Sequence, residues 1–315
     1  MMAKEKTQQT LLERMPAVRG RMEANVALAR FTWFKVGGPA DILFSPEDEA
    51  DLAQFMAKRP LGVPVTVIGL SSNLMIRDGG VRGVVIRLGR NFSRITVDGE
   101  HIIAGAGAAD INVARKAEKS GLSGFAFLSG IPGCVGGAVV MNAGAYGSEV
   151  SKVIETVNVI DGSGNSRTLN KNDLNFSYRH ADLAENMIVT AATFKGRPGD
   201  RAAIAADMAE IQSLREQTQP VRSLTGGSTF KNPEGYKAWQ LIEAAGCRGL
   251  IRGGAEVSNL HCNFLINGGG ATAADIEGLG EDVRRRVKEK TGITLEWEIH
   301  IIGDVAPTHI FEVTS

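Results

Sequence analysis

The feature that most constrains this chain is a glycine-rich stretch, residues 129–147, in which six of nineteen residues are glycine. Most of its other residues are small or apolar. Glycine lacks a Cβ atom, so the backbone can approach a ligand closely and adopt positive φ. Successive exposed N–H groups in such turns form a concave anion site suited to a pyrophosphate. The stretch therefore favours a buried nucleotide cradle over a loop that needs glycine only to turn tightly.

A second turn carries polar groups that suit the same kind of ligand. Residues 65–68 read as a short strand, and residues 69–73 follow it with glycine, hydroxyl and amide side chains. Alone this turn is weak support, since Ser and Asn populate many turns. The sequence has no G-x-G-x-x-G opening a strand–helix unit and no Walker motif. We therefore expect a nucleotide held in a way unlike the Rossmann crossover.

Composition limits the class of protein. A chain of 315 residues predicts two or three domains. With 35 basic and 35 acidic residues, it has no overall positive field to attract nucleic acid or an anionic membrane. The three cysteines are far apart and form no C-x-x-C pair, and the histidines have no metal-ligand spacing. The first twenty residues have no apolar run typical of a signal peptide. We expect a cytoplasmic protein with no metal, no membrane or nucleic-acid partner and no obligate protein partner.

Local signals place several elements. A hairpin is expected around Asp98-Gly99. A helix is expected to be capped by Ser45 and to begin with Pro46. Residues 293–302 predict a final strand.

Three short segments carry candidate chemistry. Arg179, beside aromatic residues, could bind a carboxylate in bidentate fashion; the alternative is a surface arginine stacked on Tyr178. Ser228 follows two glycines, but no His/Asp pair is positioned by the sequence to make it a nucleophile. It is better suited to donate a proton or hydrogen bond, unless it only caps a turn. In the last strand, alternation puts Glu296 and Glu298 on one face; this face is either exposed to solvent or directs one carboxylate into a pocket.

Six stretches resemble the UDP-N-acetylenolpyruvoylglucosamine reductase family and follow one another in the family's order over nearly the whole chain. The direct continuation from residues 187–194 into the next linker is similar to the branch that lacks an extra tyrosine-bearing loop. The matching stretches are 34–40, 68–73, 130–147, 178–179, 227–233 and 295–298.

The resemblance implies an α+β fold, with a two-lobed FAD-binding region of the vanillyl-alcohol oxidase type and a smaller α+β substrate-binding domain. The last strand either stays in the substrate-binding domain or returns to the FAD-binding region. The expected divisions are 20–200 for the FAD-binding region, with lobes of about 20–90 and 91–200, then 201–303 for the substrate-binding domain, and 1–19 and 304–315 for terminal extensions.

The resemblance also implies a reaction. Hydride passes from NADPH to bound FAD, and then to the vinyl carbon of a UDP-sugar enolpyruvyl ether, giving UDP-N-acetylmuramate for peptidoglycan synthesis. By motif position Arg179 and Glu298 hold and polarise the substrate carboxylate, and Ser228 delivers the second proton. Glu298 is preferred to Glu296, although Trp297 between them is unexpectedly bulky.

The remaining site residues also follow from the resemblance, with the contact by His261 left open. The expected substrate contacts are Tyr178, Lys231, Asn232 and His261. The expected FAD contacts are Gly69, Ser71, Ser72, Asn73, Gly130, Pro132, Gly133, Gly136, Gly137, Asn142, Gly144, Ala145 and Tyr146.

Two other functions are compatible with parts of the pattern. One is an FAD-dependent alcohol or sugar oxidase of the same fold, and the other is a non-catalytic module that binds flavin or a nucleotide sugar. The serine and glutamate motifs argue against the first. The joint presence of Arg179, Ser228 and Glu298 argues against the second.

Overall fold

The computed structural model of the chain describes residues 9–306, so the outer parts of the expected terminal extensions, 1–8 and 307–315, lie outside the described residues. The helices are α1 Glu49–Lys58, α2 Asp110–Lys119, α3 Val135–Val140, α4 Arg201–Thr218, α5 Ala238–Ala244 and α6 Ala273–Thr291. Short 3-10 helices lie at Leu12–Arg14, Ala29–Phe31, Arg90–Phe92, Ala126–Gly130, Val150–Lys152 and Lys171–Leu174. The strands are β1 Arg21–Ala27, β2 Pro39–Ser45, β3 Val65–Ile68, β4 Leu74–Ile76, β5 Val81–Arg87, β6 Ile95–Asp98, β7 His101–Gly105, β8 Leu122–Ser123, β9 Gly144–Ala145, β10 Ser148–Glu149, β11 Ile154–Ile160, β12 Ser166–Asn170, β13 Ile188–Lys195, β14 Arg197–Pro198, β15 Leu224–Thr225, β16 Ile251–Arg252, β17 Ala255–Val257, β18 Leu265–Asn267 and β19 His300–Ile302.

The first sheet has the strand order β1-β2-β5-β3, in which β1 is antiparallel to β2 while β5 is parallel to both β2 and β3. Helix α1 packs on it through Leu52 and Phe55, which are fully buried. The Phe55 ring lies 4.8 Å from the ring of Phe44 on β2. This helix therefore covers one face of the sheet with apolar side chains.

The predicted start of α1 is wrong. The helix is capped by Asp48, whose carboxylate accepts the Asp51 N–H at 2.8 Å, and Ser45 instead ends β2. The Asp51 carboxylate in turn accepts the Glu47 N–H at 3.0 Å. Because the Asp48 carboxylate satisfies a free N–H group of the first turn while Asp51 binds the N–H of Glu47 ahead of the helix, the helix begins three residues later than Pro46.

The second sheet is antiparallel, with the order β12-β11-β13-β7-β6. The predicted hairpin is confirmed, since Asp98 pairs with His101 across the turn. One apolar cluster joins this sheet to the first, with Ile102 on β7 and Ile86 on β5 among its fully buried members. The glycine-rich stretch leaves the helix Ala126–Gly130, passes through α3 and ends in the β9–β10 hairpin.

A third sheet, ordered β15-β18-β17-β16, packs with α5 and α6 around a separate apolar cluster. Helix α6 is anchored by Ile276, Leu279, Val283 and Val287, all fully buried at helical spacing. Burying each such side chain contributes roughly 1.5–3 kcal/mol relative to leaving it exposed. Helix α4 packs instead against the helix Ala126–Gly130. Among the residues described, no helix combines the length and the apolar character that crossing a membrane requires.

The predicted final strand is shorter than expected, because only β19 pairs regularly, in parallel with β4. The preceding segment is extended, but it hydrogen-bonds to an irregular part of the chain. The Lys231 N–H donates to the Glu296 carbonyl at 2.9 Å, and the Glu298 N–H donates to the Thr229 carbonyl at 2.8 Å. The chain thus runs from the third sheet to β4 along residues 296–302.

Helix α6 is tied to the first part of the chain by two acidic groups. The Asp78 carboxylate accepts the N–H groups of Ala273 and Ala274 at 2.9 and 3.0 Å, at the helix N-terminus. A negative charge is favourable there. One turn later, Glu277 accepts two hydrogen bonds from the Arg77 guanidinium, at 2.9 and 2.7 Å. The third sheet and its helices are therefore fixed against the loop after β4.

The Trp297 ring packs closely against a glycine of helix α6. Its ring stacks 5.0 Å from that of Phe230, and its Nε1 donates to Glu281 at 2.9 Å. A Cβ atom on Gly280 would lie 2.0 Å from the Trp297 ring, so the indole lies directly on the helix backbone. At Gly278, two residues earlier, a Cβ would meet only the flexible Arg252 guanidinium, at 2.3 Å.

We predict opposite effects for alanine at these two glycines. Each substitution gains up to about 1 kcal/mol of helix propensity. At Gly280 a clash with the partly buried Trp297 ring adds about 1–3 kcal/mol of overpacking. Gly280→Ala should therefore lower the free energy of unfolding, whereas Gly278→Ala should leave it unchanged or raise it, as measured by denaturant titration. Equal stability of the two variants would contradict this account of Trp297.

Candidate active site

Two adjoining cavities lie where the glycine-rich stretch meets the C-terminal part of the chain. The front cavity, of about 410 Å³, is lined by Arg179, Ser228 and Glu298 among others. The rear cavity, of about 340 Å³, is lined by the turn after β3 and by the glycines around α3. They form one continuous cleft, because both are lined by Ser72, Asn73, Ile131, Met141 and Ala143.

The glycines of the rear cavity serve two different purposes. A Cβ on Gly69 would lie 2.3 Å from the Cys134 sulfur, so this glycine permits the turn after β3 to pack against the cradle. A Cβ on Gly137 would meet nothing within 4 Å, because the space in front of it is the cavity. Backbone at Gly137 is thus open to a ligand, as expected of a nucleotide cradle.

The turn after β3 adds a buried hydroxyl. Ser71 has a left-handed backbone, with φ of 53°, and its Oγ is buried without a hydrogen-bond partner in the described residues. Buried hydroxyls normally have partners. Since Ser71 lines the rear cavity, its unpaired hydroxyl is consistent with a polar ligand there.

Arg179 and Glu298 meet in the front cavity although 119 positions separate them. The Arg179 Nε donates to Glu298 Oε1 at 3.1 Å, and Nη2 donates to the Gly144 carbonyl at 2.9 Å. Both side chains are mostly buried, at 19% and 14% exposure. The guanidinium also lies 5.0 Å from the Tyr178 ring, so the stacking considered as an alternative coexists with a position in the cavity.

Burial governs the charge state of Glu298. It raises the pKa of this carboxyl above its usual value, and the positive charges of Arg179 and Lys231 offset only part of the effect. The Glu298 backbone is held by the Asn73 amide, whose Nδ2 donates to the Glu298 carbonyl at 2.9 Å. The cavity therefore contains a fixed carboxyl with an increased tendency to carry a proton.

The expectation that Glu296 and Glu298 share a face is wrong. Glu298 is 14% exposed and lines the front cavity, whereas Glu296 is 75% exposed and lies 3.6 Å from the Lys231 ammonium. The irregular backbone before β19 breaks the simple alternation of a strand. Of the two carboxylates, Glu298 is the one that lines the cavity.

Ser228 lines the front cavity together with residues of the glycine-rich stretch. The preceding Gly227 has φ of 81°, a conformation that glycine adopts readily. The following Thr229 is fixed to the third sheet, because its N–H donates to the Asn263 carbonyl at 2.8 Å and its Oγ1 accepts the Leu265 N–H at 3.2 Å. Ser228 is thus held on one side by a residue that is fixed to the third sheet.

Most of the predicted FAD contacts line this cleft. Asn142 is the exception: it is 1% exposed, its Nδ2 donates to the Ser177 carbonyl at 3.0 Å, and its Oδ1 accepts the Ser151 N–H at 2.9 Å. It supports the loop that carries Arg179. The residues that line a cavity are Gly69, Ser71, Ser72, Asn73, Gly130, Pro132, Gly133, Gly136, Gly137, Gly144, Ala145 and Tyr146.

None of the four predicted substrate contacts is in the lining of the front cavity. Tyr178 is half exposed, and Lys231 is close enough to Glu298 for its charge to lower the pKa of that carboxyl. Asn232 accepts the Ala238 N–H at 3.0 Å, at the start of α5. His261 stacks 4.9 Å from Phe264, which does line the cavity, and its Nδ1 accepts the Asn263 N–H at 3.2 Å.

Sequence reasoning missed two charged residues of the cleft. Arg215, near the end of α4, lines the front cavity, and burial lowers its pKa. Asp110, the first residue of α2, lines the rear cavity and is completely buried. In the sequence, the only sign of Arg215 is a positively charged residue shortly before Pro220. An aspartate at the start of a helix is too common for the sequence to identify Asp110 as a site residue.

The cleft fits a dinucleotide with a redox ring. The rear cavity offers open glycine backbone and an unpaired hydroxyl, while the front cavity contains a cation, a carboxyl and a hydroxyl around one space. Such a ligand could extend through the lining that the two cavities share. The residues present therefore fit FAD.

Comparison with protein families supports this assignment. A family model described as FAD binding domain matches residues 40–170. A second, described as UDP-N-acetylenolpyruvoylglucosamine reductase, C-terminal domain, matches residues 219–302. Together with the mixed helices and strands of both parts, these matches confirm the predicted α+β class with an FAD-binding fold.

Individual proteins give the same result over nearly the whole chain. UDP-N-acetylenolpyruvoylglucosamine reductase of Azorhizobium caulinodans is 58% identical over 289 residues, covering 92% of this chain and 94% of the relative. That of Parvibaculum lavamentivorans is 55% identical over 303 residues, covering 96% and 97%. The crystal structure of UDP-N-acetylenolpyruvylglucosamine reductase from Thermus caldophilus aligns with a TM-score of 0.79 at 36% identity, covering 90% of this chain and all of that one. The chain belongs to the UDP-N-acetylenolpyruvoylglucosamine reductase family.

Proposed function

We propose that this protein reduces UDP-N-acetylglucosamine enolpyruvate to UDP-N-acetylmuramate in peptidoglycan precursor synthesis, using bound FAD and NADPH as co-substrate. The observation that carries the proposal is the convergence of Arg179, Ser228 and Glu298 on one cavity that opens into a glycine-lined cleft. Family membership gives the reaction, and the cavity supplies the groups that this reaction needs.

FAD, when bound, would supply the redox chemistry that links NADPH oxidation to hydride addition at the terminal vinyl carbon of the substrate. The chain supplies the binding surface for it in the cleft. We propose that FAD contacts the twelve lining residues given above. Asn142 lies outside this lining and supports it indirectly, by its hydrogen bond to the Ser177 carbonyl.

Arg179 and Glu298 stabilise the charge that develops on the substrate. Hydride addition at the terminal carbon leaves negative charge on the adjacent carbon, delocalised into the carboxylate. The Arg179 guanidinium, fixed by Glu298 and by the Gly144 carbonyl, is preorganised to face that charge. Preorganised donors of this kind usually make the largest catalytic contribution. A protonated Glu298 donates a further hydrogen bond, which its raised pKa favours.

Ser228 completes the reaction by giving its hydroxyl proton to the carbon next to the carboxylate. A serine hydroxyl is a weak acid, so the resulting alkoxide needs a nearby positive charge. Lys231, three residues along the same segment, supplies it in our proposal. The Ser228 position between Gly227 and the fixed Thr229 keeps the hydroxyl directed at the cavity.

The nucleotide-sugar is held around the mouth of the front cavity. We propose Tyr178, Lys231, Asn232 and His261 as its contacts. His261 supports the substrate through Phe264, whose ring it contacts. Arg215 is suited to the diphosphate, since it is a partly buried cation that lines the same cavity.

In the proposed division of labour, residues 20–200 hold FAD and residues 201–303 hold most of the UDP-sugar, while Tyr178 and Arg179 contact the substrate from the FAD-binding side. Because helix α4 packs against the helix Ala126–Gly130, we propose that the substrate-binding unit itself starts after Thr218, later than the predicted residue 201. Residues 300–302 return to the FAD-binding side by pairing with β4. A cytoplasmic location and the lack of an obligate protein partner stay predictions from the sequence.

Ser228→Ala tests the function and the role of the serine together. The purified parent should be yellow, bleach on addition of NADPH, and recolour on addition of the enolpyruvyl substrate without oxygen. The variant should bleach at the parental rate but recolour about 10²–10³ times more slowly, the usual loss for one positioned donor. Ser223→Ala, a serine that lines neither cavity, is the control and should recolour normally. Recolouring of Ser228→Ala at the parental rate would refute proton donation, and a parent that recolours only with oxygen would indicate an oxidase.

Gly137→Ala tests the cradle. Alanine at this helical position gains up to about 1 kcal/mol over glycine, so the FAD-free protein should be as stable or more stable. The new methyl group occupies the rear cavity, so FAD should bind more weakly. Gly89→Ala is the control, because a Cβ there also meets nothing within 4 Å but lies outside both cavities. Flavin fluorescence measures the affinity; parental affinity in Gly137→Ala would contradict a cradle at this position.

Glu298→Gln tests the protonation of the acid. Since the folded pKa is raised, Glu298 stabilises the fold at pH below its unfolded pKa, about 4.3, and this contribution is lost as pH rises through the folded pKa. The stability of the variant relative to the parent should therefore increase from about pH 4 to pH 8. Glu296→Gln, at an exposed carboxylate, is the control. A relative stability of Glu298→Gln that falls with pH would mean that the ion pair with Arg179 outweighs burial.

A further inference from the structure

Asp110 is a buried acid that the proposed reaction does not use. The residue has no exposed surface, and neither carboxyl oxygen has a hydrogen-bond partner among the described residues. A buried polar group without a partner costs about 1–3 kcal/mol, and more when it is charged. Such a group is therefore expected to find its partner in a ligand, in an ordered water, or in both.

Asp51, another buried aspartate near the start of a helix, differs from Asp110 because its carboxylate has hydrogen-bond partners. Asp51, in the first turn of α1, is 2% exposed, and its oxygens accept the N–H groups of Arg19, Gly20 and Glu47 at 2.8, 2.9 and 3.0 Å. Asp110, at the first position of α2, makes no capping contact of this kind. The carboxyl of Asp110 is thus available for a contact that the protein itself does not supply.

The carboxyl lies directly behind the glycine cradle. A Cβ on Gly133 would stand 2.7 Å from Asp110 Oδ2, so only a glycine leaves room for the acid at this point. The backbone fixes the two residues together, because the Asp110 N–H donates to the Gly133 carbonyl at 3.1 Å. Asp110 and Gly133 both line the rear cavity. The missing Cβ at Gly133 therefore lets the buried carboxyl lie next to the lining of the rear cavity.

Ser71, across the same cavity, is also buried with an unpaired hydroxyl. Two unpaired polar side chains that line one cavity indicate a ligand with polar atoms along its length. The ring of the cofactor must reach the front cavity, where Arg179, Ser228 and Glu298 lie. The rear cavity is then left for the chain of hydroxyl and phosphate oxygens behind the ring.

We propose that Asp110 is a further FAD-binding residue, whose carboxyl, beside Gly133, hydrogen-bonds to an oxygen of the ribityl–diphosphate chain. This inference rests on the proposed function, because it takes FAD as the ligand of the cleft.

The acid makes this contact in its neutral form. Burial raises the pKa of Asp110 well above its ordinary value, and no opposing charge offsets the effect. An ionised carboxylate would repel the phosphates, whereas a protonated one donates its O–H to an oxygen acceptor. Asn offers a neutral N–H donor of nearly the same shape, and Leu fills the space without any polar group.

The test compares FAD affinity in three variants, measured by flavin fluorescence on the holoenzyme and after reloading. Asp110→Leu should bind FAD about tenfold or more weakly, the equivalent of one lost hydrogen bond to a buried polar group, while its FAD-free form should be as stable as the parent or more stable. Asp110→Asn should stay within about threefold of the parent affinity. Asp51→Asn, the control, should lose thermal stability with and without FAD but keep the parental affinity.

Infrared spectroscopy gives a second measurement that does not depend on the leucine variant folding. The carbonyl band of a protonated carboxylic acid should shift when FAD is released from the parent, and this shift should be missing in Asp110→Asn. Parental FAD affinity in Asp110→Leu, or an infrared difference that is identical in the parent and in Asp110→Asn, would overturn the inference while leaving the reductase function in place. A parent that binds no FAD would overturn both.

Discussion

The site depends above all on one short attachment between distant parts of the chain. The Asn73 side chain donates to the Glu298 carbonyl at 2.9 Å, and the Asn73 carbonyl accepts the His300 N–H at 3.1 Å. Regular pairing of β19 with β4 begins there. These bonds fix the backbone on one side of the front cavity while Arg179 approaches from the other. Together with the bond from the Glu298 N–H to the Thr229 carbonyl, they give the carboxyl a defined position relative to the guanidinium.

Burial determines the energetics of the ion pair between Arg179 and Glu298. Arg179 and Glu298 are both largely shielded from water, so their mutual attraction is strong, but the loss of hydration is costly. A pair of this kind is a poor source of stability and is better explained by function. Arg179 also adopts a left-handed backbone, with φ of 57°, which is uncommon for a residue with a side chain. Strain of this sort is typical of functional sites and requires support from the surrounding structure, here through Asn142 and the Gly144 carbonyl.

What the sequence could predict was mostly local or motif-based. The hairpin at Asp98-Gly99 followed from turn chemistry, and the cradle followed from glycine density. The start of α1 could not be predicted in the same way, since Ser45 and Asp48 are both good caps and only tertiary contacts to Asp51 decide between them. The site itself was harder: strand alternation misplaced Glu296, because the backbone before β19 bonds to an irregular segment, and Asp110 showed nothing unusual until its unpaired oxygens were seen behind Gly133.

The return of the chain to β4 also bears on how the enzyme is made. Arg179 and Ser228 leave the ribosome well before Glu298, and the apolar cluster of the first two sheets is drawn almost entirely from residues before 200. A nascent chain can therefore complete its cofactor-binding core while the acid of the site is still to be synthesised. In the proposed function the catalytic set is complete only once residues 298–302 are made, so a chain cut before Glu298 is expected to keep the apolar cluster of the first two sheets while lacking the proposed acid.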